Sequence, residues 1–301
     1  MKISKGIFMG TITASLLLTA CNSASRDESD PIIVSGKAFT EQYILPHIYQ
    51  QYIEHHSEYE VELNEGLGEV AVLTPAMENG EIDMYVEYTG TGLAAVLKEE
   101  IEFGESSDSI LERVRTGYEE EYDMTWLEPL GFANNYTMAF AEDTDFEAST
   151  YSGLAQISDQ LSFGAPHAFY ERQGDGYEAL VAAYGFDFAA TESFDSNILY
   201  NAVQSGEVDV ITAFTTDGRI ERFNLQTTED DLGFFPNYDA APVIRQEVLD
   251  IYPKLEELIN GLAGQISEQE MQEMNAKVDI DGETYAAVAQ EFLESKGLLE
   301  E

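Results

Sequence analysis

A stretch of twenty residues occurs twice in this chain. The run from Leu73 to Gly92 returns without a gap as Leu199 to Gly218, 126 positions later, with Leu, Ala, Gly, Glu, Asp, an aromatic, Thr and Gly in register. Each copy reads as a short helix, a Gly-acidic turn at Gly80-Glu81 or Gly206-Glu207, and an apolar strand that ends on an aromatic, Tyr88 or Phe214. In α/β sheets ligands sit beyond the carboxyl ends of strands, so each copy offers one aromatic ring to a crevice. Such a repeat constrains the fold to two similar α/β halves, and two halves of this kind close on a small ligand about a hinge.

The remaining pattern agrees with that class. Ile32-Ile33-Val34 is a short apolar run closed by Ser35-Gly36, and Thr40 is placed to cap a helix carrying Ile44, Leu45, Ile48, Tyr49 and Tyr52 on one face. Glu60 to Leu63 alternates as a strand does, Val70 to Met77 reads as a helix, and Ile82 to Tyr88 reads as the strand after it. With 44% apolar residues in 301, a packed core is expected.

The amino end reads as an export signal: Lys2 and Lys5, an apolar run from Gly6 to Leu18, then Leu18-Thr19-Ala20-Cys21 before a polar stretch. The run is too short to span about 30 Å of hydrocarbon as a helix, so it is expected to be removed. Cys21 is the chain's one cysteine, which excludes an internal disulfide and any CxxC site. Its place at the cleavage point resembles the lipobox of bacterial lipoproteins and implies lipidation, with membrane attachment through that lipid alone; an ordinary signal peptide before an unmodified Cys is the plainer alternative. Asp27 to Pro31 reads as a short tether.

Charge narrows the partners. The 58 Asp and Glu against 14 Lys and Arg give a formal net charge of −44, which repels nucleic-acid phosphates and bare anionic membrane. Self-repulsion on that scale is screened where the Debye length falls to about 3 Å near 1 M salt, which suggests adaptation to a saline exterior; a plain solubilising coat is the alternative.

Catalytic signatures are missing: no GxSxG, no HExxH and no phosphate-binding loop ending in Lys-Ser/Thr occurs. His47, His55 and His56 cluster on one early helix with His167 far away, which argues against a metal site. No enzyme activity and no cofactor are expected. The few cations stand out instead: Lys37 follows the first strand, and Arg172 sits in the glycine-bearing loop Phe169 to Gly176. Either can meet an anionic group, although for any single cation a local salt bridge is the simpler reading, for Arg172 to Glu171 or Asp175; its strand-end position raises Lys37 above the rest. Aromatics are plentiful, and besides Tyr88 and Phe214 two lie in segments suited to cross between halves, Tyr136 and Tyr238. Together these four rings suit a quaternary ammonium, which has no N–H to donate and is held by ring faces at about 0.5 to 2 kcal/mol each.

Four fragments carry a family resemblance: Ser35 to Gln42, Gly80 to Asp83 running on through Glu87 to Thr91, Thr216 to Ile220, and Phe235-Pro236 to Pro242. Over residues 31 to 299 the chain is similar to the glycine betaine/carnitine/choline-binding lipoproteins of osmoprotectant ABC importers. The resemblance implies a two-lobe periplasmic-binding-protein fold of type II with a hinge. Its parts are a signal peptide at 1–20, a tether at 21–31, a first lobe from 32–133 with 240–301, and a second lobe at 134–239. It further implies an aromatic box of Tyr88, Tyr136, Phe214 and Tyr238, with Lys37, Thr91 and Arg172 directed at the ligand's carboxylate. Phe214 stands where the family often has Tyr, which keeps the π face and loses a hydroxyl. A neutral Thr91 can donate to a carboxylate where an Asp would repel it, which favours betaine-type zwitterions and leaves choline as a second candidate. Capture by a lipid-anchored monomer on the outer face of the cytoplasmic membrane, then delivery to an ABC permease, is the implied function. A binding lipoprotein for another small solute, such as an amino acid, is the alternative.

Overall fold

The computed structural model describes residues 26–171 and 176–300. The export signal, Cys21 and Arg172 lie outside them. The strands in chain order are β1 (Ile32–Ser35), β2 (Val61–Asn64), β3 (Met84–Tyr88), β4 (Met124–Trp126), β5 (Tyr136–Ala141), β6 (Ser162–Pro166), β7 (Ala190–Phe194), β8 (Val210–Phe214), β9 (Leu225–Thr228) and β10 (Ala240–Arg245). Helices that bear on the site are α1 (Thr40–His56), α2 (Val70–Glu78), α3 (Ser196–Gln204), α4 (Gly218–Arg222) and α5 (Glu268–Asp279).

Two five-stranded sheets result, with orders β2-β1-β3-β10-β4 and β7-β6-β8-β5-β9. In each, three parallel strands are followed by two joined through antiparallel pairs, so the sheets share one plan. The chain passes between them twice, before β5 and before β10.

The sequence repeat is a structural repeat. Its strands β3 and β8 hold the same central place in their sheets. Gly80 and Gly206 both take φ of +72°, a left-handed turn that glycine adopts without steric cost. Asp83 accepts a 2.7 Å hydrogen bond from the Ile33 backbone N–H on β1, and Asp209 accepts the corresponding 2.7 Å bond from Ser162 on β6. Each carboxylate thus ties its central strand to the start of the parallel neighbour. Leu73 and Leu199, Ala76 and Ala202, and Ile82 and Val208 are all buried.

Helix α1 covers the first sheet with Ile44, Leu45, Ile48 and Tyr49 fully buried, while Tyr52 is half-buried at the edge of that face. Two local expectations need correction. Phe39, not Thr40, holds the cap position of α1 in extended backbone; the Thr40 hydroxyl donates instead to Asp279 at 2.6 Å, a charge-assisted bond stronger than a neutral cap. Nor does the expected tether, Asp27 to Pro31, stand apart from the fold. Arg26 forms an ion pair with the wholly buried Asp83, and the Tyr252 hydroxyl donates to the Asp30 carbonyl at 2.7 Å. No helix among the described residues is long and apolar enough to cross a membrane.

Candidate functional site

Strands β3 and β8 both run toward the space between the sheets, and there they leave a cleft of about 540 Å³. Tyr88 and Phe214 line it from the two strand ends; Tyr136 and Tyr238 line it from the segments that cross between the sheets. Those segments run antiparallel, with the Asn134 N–H bonded to the Tyr238 carbonyl at 3.1 Å. Asn135 stitches them further: its carboxamide accepts from the Tyr238 N–H at 2.8 Å and donates to Asn237 at 2.6 Å. Register sets the rings on the second sheet, because Tyr136 pairs with Phe214 across β5 and β8 and their centroids lie 4.6 Å apart. Tyr136 also stacks on Phe235 at 4.6 Å.

The Tyr88 ring is held from behind. Its hydroxyl donates to Glu41 and accepts from Gln42 Nε2 at 2.9 Å, and only 5% of the residue is exposed. Phe214, its counterpart in the repeat, is 42% exposed. One ring is thus fixed and the other is free to adjust.

Six of the seven proposed ligand residues border this cleft: Tyr88, Tyr136, Phe214, Tyr238, Lys37 and Thr91. The seventh, Arg172, is not described. Lys37 is not an unpaired cation. Its ammonium is bonded to Glu87 and lies 4.8 Å from the centre of the Tyr88 ring. Glu87 is wholly buried and also accepts from the Tyr88 N–H at 2.7 Å and the Tyr85 hydroxyl at 3.2 Å. A cation this deeply buried needs a counter-charge, and β3 supplies it one residue before Tyr88.

Several lining residues were not singled out from the sequence. Glu41 is buried, and its carboxyl accepts from Tyr88, from Asn134 at 3.4 Å and from Asn275 at 3.5 Å. Burial raises its pKa above the usual carboxylate value; hydrogen bonds from Tyr88, Thr216, Asn275 and Asn134 oppose that rise without cancelling it. Asn275 on α5 also donates to the Thr216 carbonyl at 2.8 Å, and Gln272, one turn earlier, donates to the Thr215 carbonyl. Arg219 is clamped on Asp217, with its Nε 2.8 Å from Oδ1, and lies 3.9 Å over the Tyr200 ring. Phe39 stacks on Tyr88 at 6.3 Å. Membership in the fragments Ser35 to Gln42 and Thr216 to Ile220 was the available signal for Phe39, Glu41, Asp217 and Arg219; Asn275 and Gln272 had none. Among the described residues no three His, Cys, Asp or Glu converge where a metal ion would bind.

Comparison with known proteins follows the same line. A family profile described as OpuAC, the substrate binding domain of ABC-type glycine betaine transport system, matches residues 30–295. The carnitine transport binding protein OpuCC of Listeria monocytogenes is 35% identical over 294 residues, covering 96% of this chain and 95% of that one. A glycine-betaine-binding protein of Pseudomonas aeruginosa is 30% identical over 311 residues, covering 97% of each. The ergothioneine transport permease/ergothioneine binding protein EgtU of Helicobacter pylori is 34% identical over 295 residues, 97% of this chain and 52% of that longer one. A solved structure described as a glycine betaine/carnitine/choline ABC transporter superposes with a TM-score of 0.86 at 31% identity, covering 90% of this chain and 100% of that one. The two-sheet α/β architecture is therefore that of a periplasmic binding protein, and the chain belongs to the family of substrate-binding domains of ABC-type glycine betaine transport systems.

Proposed function

We propose that this protein captures quaternary-ammonium osmoprotectants outside the cytoplasm, glycine betaine type first, with carnitine and choline as further candidates. The bound solute passes to the permease of an ABC importer. The observation that carries the reading is the convergence of four aromatic residues, Tyr88, Tyr136, Phe214 and Tyr238, on one cleft bordered by both sheets. A trimethylated nitrogen gains about 0.5 to 2 kcal/mol from each ring face once water is excluded, with no hydrogen-bond donor left unpaired. The names of the Listeria and Pseudomonas relatives support the same class of solute.

In this reading residues 32–133 with 240–301 form the first lobe, 134–239 form the second, and the crossing segments at Asn134-Asn135 and Asn237-Tyr238 are the hinge. Closure brings Phe214 and Tyr136 over an ammonium already resting on Tyr88. The carboxylate meets the Thr91 hydroxyl, Arg172, and Lys37 as a cation shared with Glu87. No bond is made or broken. The mature protein is a monomer held at the outer face of the cytoplasmic membrane by lipid on Cys21, and its acidic coat is an adaptation to salt.

Calorimetry with glycine betaine, carnitine, proline betaine and choline tests the proposal, with ergothioneine added because of the Helicobacter relative. Saturable binding of at least one of the first four is expected. Silence with all four would refute the osmoprotectant reading, and binding of ergothioneine alone would redirect it.

A further inference from the structure

Three acidic side chains are fully buried among the described residues: Glu41, Asp83 and Glu87. Two of them face a cation. Asp83 pairs with Arg26 and, at 3.3 Å, with Arg245, while Glu87 pairs with Lys37. Glu41 has no such partner among the described residues. The groups that reach its carboxyl are neutral: the Tyr88 hydroxyl from β3, the Asn134 carboxamide from a crossing segment, Thr216 beyond β8 and the Asn275 carboxamide from α5. A buried carboxylate without a counter-charge is costly, so such a group either keeps its proton or is balanced by a cation from outside the chain.

The charges that share the cleft wall with Glu41 are otherwise engaged. Lys37, after β1, is bound to Glu87 on β3, and Arg219 on α4 is clamped on Asp217. Asp279 on α5 accepts from the Thr40 hydroxyl at the start of α1, and Glu69, before α2, is exposed. That leaves the solute as the balancing charge. The Tyr88 ring stands between the two, with its hydroxyl on the Glu41 carboxyl and its ring on the cleft. A phenol that donates to a carboxylate gains electron density in its ring, and a cation on the ring face is held more strongly.

We propose that Glu41 is the counter-charge of the bound ammonium: its carboxyl is neutral in the ligand-free protein and gives its proton to solvent when a quaternary ammonium settles on Tyr88. The inference rests on the reading of the cleft as a quaternary-ammonium site. Burial favours the neutral form before binding. In that form the carboxyl has one O–H to donate, and Asn134 Oδ1 is a buried acceptor with no partner in the chain. A half-turn of the Asn134 carboxamide presents that oxygen in place of the nitrogen, which lies 3.4 Å from Glu41 Oε1. A cation in the cleft reverses the preference, because it attracts the carboxylate and not the acid. Linkage fixes the sign: a proton released on binding means an affinity that rises with pH through the raised Glu41 value and levels off above it.

Calorimetry of glycine betaine and choline from about pH 5 to about pH 9, with each point taken in two buffers of different ionisation enthalpy, tests this on the unaltered protein. Affinity should rise about tenfold or more across the range, with a proton released on binding where it rises. Glu41→Gln keeps an acceptor for the Tyr88 hydroxyl and removes the charge. It should bind at every pH with the affinity that wild type shows at the acid end, and release no proton. A Glu41 that merely props the Tyr88 ring would leave wild-type affinity flat and proton release at zero. That result, proton uptake on binding, or a pH dependence that persists in E41Q would overturn the proposal and leave the solute class standing. Failure of every quaternary-ammonium solute to bind at any pH would overturn the solute class and the proposal with it.

Discussion

Gly218 opens α4 on the second sheet's side of the cleft and faces α5 on the other. A Cβ added there would stand 2.4 Å from the Ala276 nitrogen, 2.7 Å from its Cα and 2.9 Å from its Cβ. Two of those atoms are backbone, so no rotamer relieves the clash. Restoring ordinary contact at 3.5 to 4 Å requires the two segments to part by about 1 Å. The same movement stretches the 2.8 Å bond from Asn275 to the Thr216 carbonyl. Overpacking costs about 1 to 3 kcal/mol and a lost hydrogen bond about 1 kcal/mol, so Gly218→Ala should destabilise the apposed state by about 2 to 4 kcal/mol. If apposition is what ligand closure achieves, the whole cost falls on binding, and Kd should rise roughly 30-fold to several hundred-fold. Calorimetry with glycine betaine reads that change, and melting of the ligand-free variant should stay near wild type. A lowered ligand-free melting temperature with unchanged affinity would refute the reasoning, since α4 and α5 would then be joined in the open protein too.

Other expectations concern charge and anchoring. The Glu41 pKa is raised by burial from its usual 4.5, so the native state holds a proton the unfolded chain has lost, and its contribution to stability declines as pH rises from 4.5 through the raised value. Glu41→Gln removes that decline: melts should show the variant gaining on wild type as pH rises above 4.5, and parallel curves would contradict the assignment. Replacing Cys21 by Ser should release the protein from the membrane fraction into the medium, and retention would dispose of the lipid anchor. With a net charge of −44, molar salt should raise the melting temperature; equal stability with and without it would leave the acidic coat no role in salt adaptation.

What could be read in the chain beforehand was local or repeated. The helix, turn and strand of each copy follow from periodicity and from Gly80 and Gly206, and the 126-residue offset carried the symmetry of the sheets directly. Rings at strand ends were legible for the same reason, since Tyr88 and Phe214 close apolar runs. Contacts made across long separations were not. Lys37 stood out as a strand-end cation and Glu87 falls in a recognised fragment, but nothing local pairs the two across 50 positions. Glu41 lies in the fragment Ser35 to Gln42, yet nothing local marks its carboxyl as a buried one; its partners include Tyr88 on β3 and Asn275 on α5, over 200 residues later. Asn275 meets Thr216, and Ala276 meets Gly218, through a packing of helices that no local pattern announces.

The two halves repeat their backbone yet differ at the tip that meets the cleft, and the difference sets what each hydroxyl is worth. The Tyr88 hydroxyl is enclosed between Glu41 and Gln42, so Tyr88→Phe leaves a buried carboxyl and a buried amide each short of a partner. That loss should cost about 1 to 3 kcal/mol of stability, because a desolvated polar group without its hydrogen bond pays the full desolvation penalty. The reciprocal change, Phe214→Tyr, adds a hydroxyl at a ring 42% exposed, where water can solvate it. It should leave stability within about 0.5 kcal/mol of wild type. Denaturant melts of the two variants measure both numbers. Equal costs would mean that the Tyr88 ring is no more fixed than its counterpart, and the picture of one rigid and one adjustable wall would have to be abandoned.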